Sequence, residues 1–276
     1  MIRGNLMSGP ALSWEQDRPS SARLTDALLG GQDHYECDRA LRRRLLAVAP
    51  DAGAVAGERR QWLLRALRHL AVGRGIGQFL DLGCGLPTVD NTHQIVQRLR
   101  PGAQVVYVDH DPLVQVHGRV MLEENDHVHI SGADLTDPGA VLGDPVVYRH
   151  LDFERPVAVL LCDVLHHVES LDRAQAIVLG YAEQLAPGSY LLLTHDHLPA
   201  GDPPRAELVR RIDAVLADAG LASVHRGLAE IVSLFAGLDL VEPGVVPLHE
   251  WWPSGPRLLP LGDQHFLSLG GVARKR

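Results

Sequence analysis

The chain is short of several things, and each shortage excludes a class of protein. Three of its 276 residues are cysteine, and no two of them form a Cys-x-x-Cys pair. That excludes a disulfide framework and suits a reducing cytoplasm, the expected location. Cys84 sits inside a glycine turn and Cys162 in an apolar run, positions that read as packing rather than nucleophilic chemistry. Lys and Arg number 26 against 34 Asp and Glu, a formal net charge of −8, which argues against a broadly basic nucleic-acid surface. Aromatic residues make up only 5%, and no basic stripe interleaved with them is present, so no nucleic-acid partner is expected. No apolar run approaches the roughly 20 residues that span a bilayer, and residues 1–20 lack the apolar core of a signal peptide, so no membrane partner is expected either.

What remains is ordinary globular material, 46% hydrophobic and 22% charged, organised around one stretch. Gln78-Phe79-Leu80-Asp81-Leu82-Gly83-Cys84-Gly85-Leu86-Pro87-Thr88 is an apolar run ending in an acid, then two glycines one residue apart, followed by an amphipathic segment from Val89 to Leu99. It reads as strand, tight turn and helix, the first unit of a doubly wound nucleotide-binding fold. Glycines suit the turn because the backbone bends sharply there and a ligand approaches with no Cβ in the way. A dinucleotide fingerprint would carry a third glycine where this chain has Thr88, and the Asp81 carboxylate would repel a pyrophosphate. Asp81 suits instead the cationic amino group of a methionine moiety.

Two further acids extend the pattern. Val105-Val106-Tyr107-Val108 ends in Asp109, 24 residues after Gly85, near the spacing of about 20 for an acid that binds ribose hydroxyls. After the strand-like His127–Ile130 comes Ser131-Gly132-Ala133-Asp134-Leu135, where Asp134 can accept from the exocyclic amine of adenine. Doubly wound sheets bind ligands at strand C-termini. Three acids at successive strand ends therefore favour an S-adenosylmethionine (SAM) site over a nicotinamide site on the same frame.

The remaining segments fill in the architecture. Residues 1–21 read as a loose tail, 22–74 as an N-terminal helical cap and 75–276 as the nucleotide-binding core. Val157–Val164 is a continuous run, apolar but for Asp163, hence a central strand buried on both faces, and it ends in Asp163-Val164-Leu165-His166-His167. His166 is the first candidate for base or acceptor-positioning work, since an ordinary imidazole titrates near neutrality. Tyr35, in the polar run after Gly30-Gly31, and His195, after the fifth strand Tyr190–Thr194, follow in that order. The His-x-His pairs His127/His129 and His195/His197 each share one side of an extended segment. No Cys or Glu cluster at ligand spacing accompanies them, so no metal site is expected. Leu238–Val241 and His265–Leu269 are expected to form a terminal antiparallel pair, with Trp251-Trp252-Pro253 packing in the connection between them.

These motifs carry a specific resemblance. Gly-Gly-x-Asp-x-Tyr-x-x-Asp-Arg at residues 30–39, Arg59-Arg60 with Trp62-Leu63, and the glycine turn resemble a family of actinobacterial SAM-dependent methyltransferases long known only as a domain of unknown function. The likeness continues through Asn91-Thr92-His93, Val106–Pro112, Ala133-Asp134-Leu135, Pro156–Leu161, Leu165-His166 and Leu240–Gly244. It implies a class I fold: an α/β, mostly parallel, seven-stranded doubly wound sheet with a helical cap. It also implies that Asn91 and His93 lie near the cofactor. Asp81, Gly83, Cys84, Gly85, Thr88, Asp109, His110, Asp134, Leu135 and Asp163 complete the expected cofactor set. The expected reaction is methyl transfer from SAM to an O, N or C nucleophile of a small molecule, such as a secondary metabolite, leaving S-adenosylhomocysteine (SAH). Gln32 and His34 stand where the family usually has Lys and Asn, which keeps open a SAM-binding protein without methyl transfer. A homodimer is expected only because symmetric dimers are common.

Overall fold

Apolar runs that alternate between two buried faces build the sheet. In the computed structural model, which describes residues 17–253, 255–256 and 260–276, five parallel strands form its centre. They are β1 (Gln78–Leu82), β2 (Gln104–Val108), β3 (Val128–Ser131), β4 (Ala158–Cys162) and β5 (Tyr190–Asp196), in the spatial order β3-β2-β1-β4-β5. Strands β6 (Asp239–Leu240), β7 (Val246–Pro247) and β8 (Ser268–Arg274) complete it: β8 runs antiparallel to β5, and both β6 and β7 pair antiparallel with β8. Seven strands follow one another across the sheet, and the two-residue β7 is an addition on the outer side of β8. The strand order reverses between β1 and β4, and a doubly wound sheet opens a ligand crevice at such a reversal.

Each strand divides its residues between two cores. Leu80, Leu82, Val106, Val159, Leu161 and Leu193 face one layer, which contains α8 (Leu171–Gln184), α10 (Leu228–Ser233) and the short helices α6 (Pro138–Leu142) and α7 (Pro145–His150). Phe79, Val105, Tyr107, Leu160 and Leu192 face the other, where α3 (Ala52–Arg68) and α4 (Thr92–Leu99) pack. Truncating a fully buried leucine such as Leu80 to alanine in such a core typically costs about 2–5 kcal/mol. Helix α5 (Pro112–Met121) follows β2, and no helix among the described residues is long and apolar enough to cross a membrane.

Helices α1 (Ser21–Leu29) and α2 (Glu36–Val48) precede α3, and α9 (Pro203–Asp218) meets them from the other end of the chain through a small apolar cluster around Leu24, Leu41 and Leu45. Ser20 caps α1 by accepting from the Arg23 N–H, and Gly30 ends it at φ 81°, where a side chain would be strained. The tail expected through residue 21 falls outside the described residues as far as residue 16, and Ser21 already opens α1.

The last strand lies later than the sequence reading places it. His265 and Phe266 belong to a 3₁₀ turn, and β8 begins at Ser268. Gly270 and Gly271 look like strand breakers but serve close packing instead. A Cβ on Gly270 would stand 2.7 Å from Trp62, and one on Gly271 3.0 Å from Phe235. Trp251 is fully buried edge-on to Trp62, which is the packing role expected of it.

Candidate active site

A cavity of about 640 Å³ opens at the C-terminal ends of the parallel strands, between the sheet and the helices α1, α2, α3 and α9. A wider groove of about 1020 Å³ lies at the opposite ends of the strands, lined by Gln78, Gln104, Tyr190 and exposed arginines. None of the candidate residues lies on that groove.

On one side of the cavity, the glycine turn is tied down by its own backbone and by acids. Gly83 N–H donates to the Val108 carbonyl at 2.7 Å, and Gly85 N–H donates to Asp109 Oδ2 at 2.9 Å. Gly83 and Gly85 have φ of 70° and 66°, a region that other residues rarely adopt. A Cβ on Gly83 would stand 2.4 Å from Val164 Cγ1. Asp109 Oδ1 also accepts from the Asp111 N–H, so this one carboxylate joins the end of β2 to the turn. Burial raises its pKa despite both bonds.

Asp81 lies at the floor of the turn. Burial pushes its pKa up to about 6, while the 2.6 Å hydrogen bond from Thr92 Oγ1 and the Arg60 charge pull it down. Asp134 Oδ1 accepts from Thr136 N–H, which holds its pKa below the ordinary value. Cys84, Thr88, His110 and Leu135 line the cavity beside these acids. Burial drives both cysteine thiols here, Cys84 and Cys162, well above their usual pKa, which makes them inert. A cradle with room for a ligand backbone and carboxylates at three strand ends fits SAM, a nucleoside that carries a sulfonium and an ammonium.

On the other side, β4 and β5 end against α3. Asp163 has φ 56° just past β4, where its N–H donates to Thr194 Oγ1 and its Oδ1 accepts from the same hydroxyl. Arg59 reaches down from α3 between two acids, with Nη1 3.4 Å from Asp163 Oδ1 and Nη2 2.5 Å from Asp196 Oδ1. Its Nη2 and Nε also contact Ser268 Oγ. Burial opposes the charge on each group. For Arg59, the two aspartates overcome it and raise the pKa; for Asp196, Arg59 does most to hold the carboxyl well below its ordinary range. His166 is buried with Nδ1 unpartnered, 3.8 Å from Asp196 Oδ2. Burial depresses its pKa to about 3, so it is neutral at pH 7 and a weak base.

Four expected site residues do not line this cavity. His195, within β5, is fully buried on the face away from the cavity, with Nδ1 donating to the Asp196 carbonyl and Nε2 accepting from Arg226 at 2.6 Å. Strand alternation sends Thr194 and Asp196 to the cavity and His195 away from it, so the acid beside the histidine occupies the position predicted for His195. Tyr35 caps α2 under the Arg23 guanidinium. Asn91 caps α4, accepting from Thr88 N–H. His93 is buried beneath the turn, where the Tyr107 hydroxyl accepts from its N–H and bonds its Nδ1 at 2.9 Å.

The two departures from the family pattern also lie off the cavity wall. Gln32 is exposed, and His34 holds Asp26 at 2.7 Å. Sequence reasoning missed Arg59 and Asp196 as site residues; period-two parity along Tyr190–Asp196 could have found the second. The His-x-His residues are engaged elsewhere, His127 with Gln104 and His129 stacked on His150. Among the described residues, no group of three or more His, Cys, Asp or Glu could hold a metal ion.

Comparisons with known proteins agree with this geometry. A search of curated proteins finds no match. Among solved structures, a candidate methyltransferase from Thermobifida fusca YX is 39% identical with a TM-score of 0.88, the match covering 98% of this chain and 99% of that one. A DUF574 family protein from Streptomyces avermitilis MA-4680 is 34% identical with a TM-score of 0.89, over 95% of this chain and 99% of that one. An O-methyltransferase family protein from Burkholderia thailandensis, 14% identical with a TM-score of 0.54, over 95% of this chain and 65% of that one, shares the fold alone. A family profile described as S-adenosyl methyltransferase matches residues 9–276. The chain belongs to that S-adenosyl methyltransferase family, with SAM as its cofactor.

Proposed function

We propose that the protein transfers the methyl group of SAM to an O, N or C nucleophile of a small molecule enclosed between the sheet and its helical cap. One observation carries this reading: the cavity is continuous from the glycine turn to the Asp163–His166–Asp196 group and is roofed by Leu24, Leu28, Leu45 and Val55. At about 640 Å³ it lies within the range of small-molecule pockets. In this reading residues 22–74 act as a cap over a core of residues 75–276. The protein works in the cytoplasm, in keeping with its three free cysteines, and needs neither nucleic acid nor membrane.

SAM supplies a methyl group on a sulfonium, which is already a good leaving group. The chain therefore has to position the reactants, exclude water and, where the acceptor carries a proton, remove it. Asp81 with Gly83 and Gly85 would hold the methionine end, Asp109 the ribose, and Asp134 with Leu135 the adenine. His166, neutral at pH 7, would orient the acceptor by hydrogen bonding rather than act as its base. Incubation with methyl-labelled SAM and a panel of small alcohols, phenols, amines and carbon acids tests the reading. Label recovered in a small product supports it; SAM binding with no label transferred to any of them counts against it.

A further inference from the structure

The acceptor half of the cavity is chemically one-sided, and this points to the class of head group it takes. At the ends of β4 and β5 its charged groups are Arg59, Asp163 and Asp196, two carboxylates to one guanidinium. Arg59 donates from Nε and Nη2 to Asp196 and Ser268 and holds Nη1 3.4 Å from Asp163, so its one charge is shared by two carboxylates of the same wall. Arg60, the other arginine on the wall, donates to the Asp90 carbonyl. Burial opposes a charge on His225, but Asp213 at 3.0 Å and Asp196 outweigh it and raise its pKa, and Asp213 balances the charge.

Asp163 Oδ2, Asp196 Oδ2 and His166 Nδ1 are left at the strand ends without a hydrogen-bond partner among the described residues; the Ser223 hydroxyl, which can donate or accept, also lines the cavity without one. His166 is only 7% exposed. With its proton on Nε2, all three atoms are acceptors. An anionic head would meet two carboxylates and one guanidinium that they already share, and burying a charge without its own partner is costly. An alcohol could satisfy one acceptor. An ammonium, with three N–H donors and a positive charge, satisfies all three and neutralises the excess acid. Beyond this floor the walls are aliphatic, with Leu28, Val55, Ile212 and Leu216.

We propose that the acceptor is an amphiphilic amine, its nitrogen held between Asp163, Asp196 and His166 and its apolar body under the helical cap. The inference rests on the methyl-transfer reading above. The bound ammonium loses one proton to water by way of the Asp163 carboxylate. The freed lone pair forms the new N–C bond as the cofactor's S–C bond breaks, and that bonding pair stays on sulfur. The sum is R–NH₃⁺ and SAM giving R–NH₂⁺–CH₃, SAH and one proton.

Calorimetry on the full chain saturated with SAH, at pH 7.5, tests the head group with three ligands of one chain length: octylamine, octan-1-ol and octanoate. Octylamine is expected to bind at least about tenfold more tightly than either of the others, as a charge-assisted contact requires. Asp196→Asn is expected to remove most of that advantage while SAH affinity changes by less than about threefold. With SAM in place of SAH, N-methyloctylamine is the expected product. Octanoate or octan-1-ol binding as tightly as octylamine overturns the proposal and leaves methyl transfer standing. Absence of SAH binding overturns the methyl-transfer reading and the proposal with it. Should Asp196→Asn fail to fold, the comparison of the three ligands on the wild type decides by itself.

Discussion

The two halves of the cavity hold their acids by different means. At the glycine turn, Asp109 and Asp134 are fixed by backbone N–H groups within or next to their own loops, and Asp81 by a threonine eleven residues on. At the ends of β4 and β5, Asp163 and Asp196 share Arg59, which arrives from α3 more than a hundred residues earlier. The first half is built from the ends of three neighbouring strands, β1, β2 and β3. The second exists only when the cap has docked. Order in the acceptor half should therefore depend on the cap in a way that cofactor binding does not.

Breaking the glycine-turn half should have the largest effect. Gly83→Ala forces a left-handed backbone on alanine and brings its Cβ within 2.4 Å of Val164. It should destabilise the fold by about 2–4 kcal/mol and weaken SAM binding at least about a hundredfold; urea denaturation and calorimetry read the two effects separately. Next comes the shared arginine. Arg59→Met leaves Asp163 and Asp196 without their cation and should cost about 2–4 kcal/mol at pH 7, less than for a fully buried pair because the group is partly exposed. Asp196 is depressed in the folded wild type, so the stability it contributes is present above its unfolded pKa and lost as pH falls through and below it. The gap between wild type and variant should therefore narrow in acid, and Asp196→Asn added to Arg59→Met should recover part of the loss.

A third prediction sharpens the comparison through pH. Asp81 is raised from 3.8 to about 6, so the folded chain holds this proton more tightly than the unfolded one does. Its contribution to stability is full below pH 3.8 and falls by about 2–3 kcal/mol as pH climbs past 6. Asp81→Asn should thus make the cofactor-free protein about 2 kcal/mol more stable than wild type at pH 8 and hardly different at pH 3.5, while weakening SAM. In the wild type, SAM affinity should rise with pH through this range, because the ligand's cation favours the ionised carboxylate. The smallest effect belongs to His195, on the face of β5 turned away from the cavity. His195→Asn should cost about 1 kcal/mol of stability through its Arg226 contact and leave the acceptor KM unchanged.

The same difference decides what could be read from the sequence. The acids of the cofactor half close three successive strands, so spacing along the chain places Asp81, Gly83, Gly85, Asp109 and Asp134 on one cavity. Arg59 is one arginine among many on an amphipathic helix, and nothing local marks it as the partner of two distant acids. Asp196 was hidden beside a histidine that looked more catalytic, although strand parity puts the acid and not His195 at the cavity. Asn91 and His93 stand close to the turn in sequence, but one caps a helix and the other packs on Tyr107. The sequence reading ends the last strand at Leu269, whereas β8 runs on through Gly270 and Gly271, which serve close packing against Trp62 and Phe235.

The most direct test of the account is calorimetric titration of SAM and SAH into wild type and Asp109→Ala. The wild type should bind both. The variant, which loses the carboxylate that ties the Gly85 N–H to β2 and that we propose to hold the ribose, should bind at least about thirtyfold more weakly while remaining folded. Binding unchanged by the substitution would contradict the placement of the cofactor at the glycine turn.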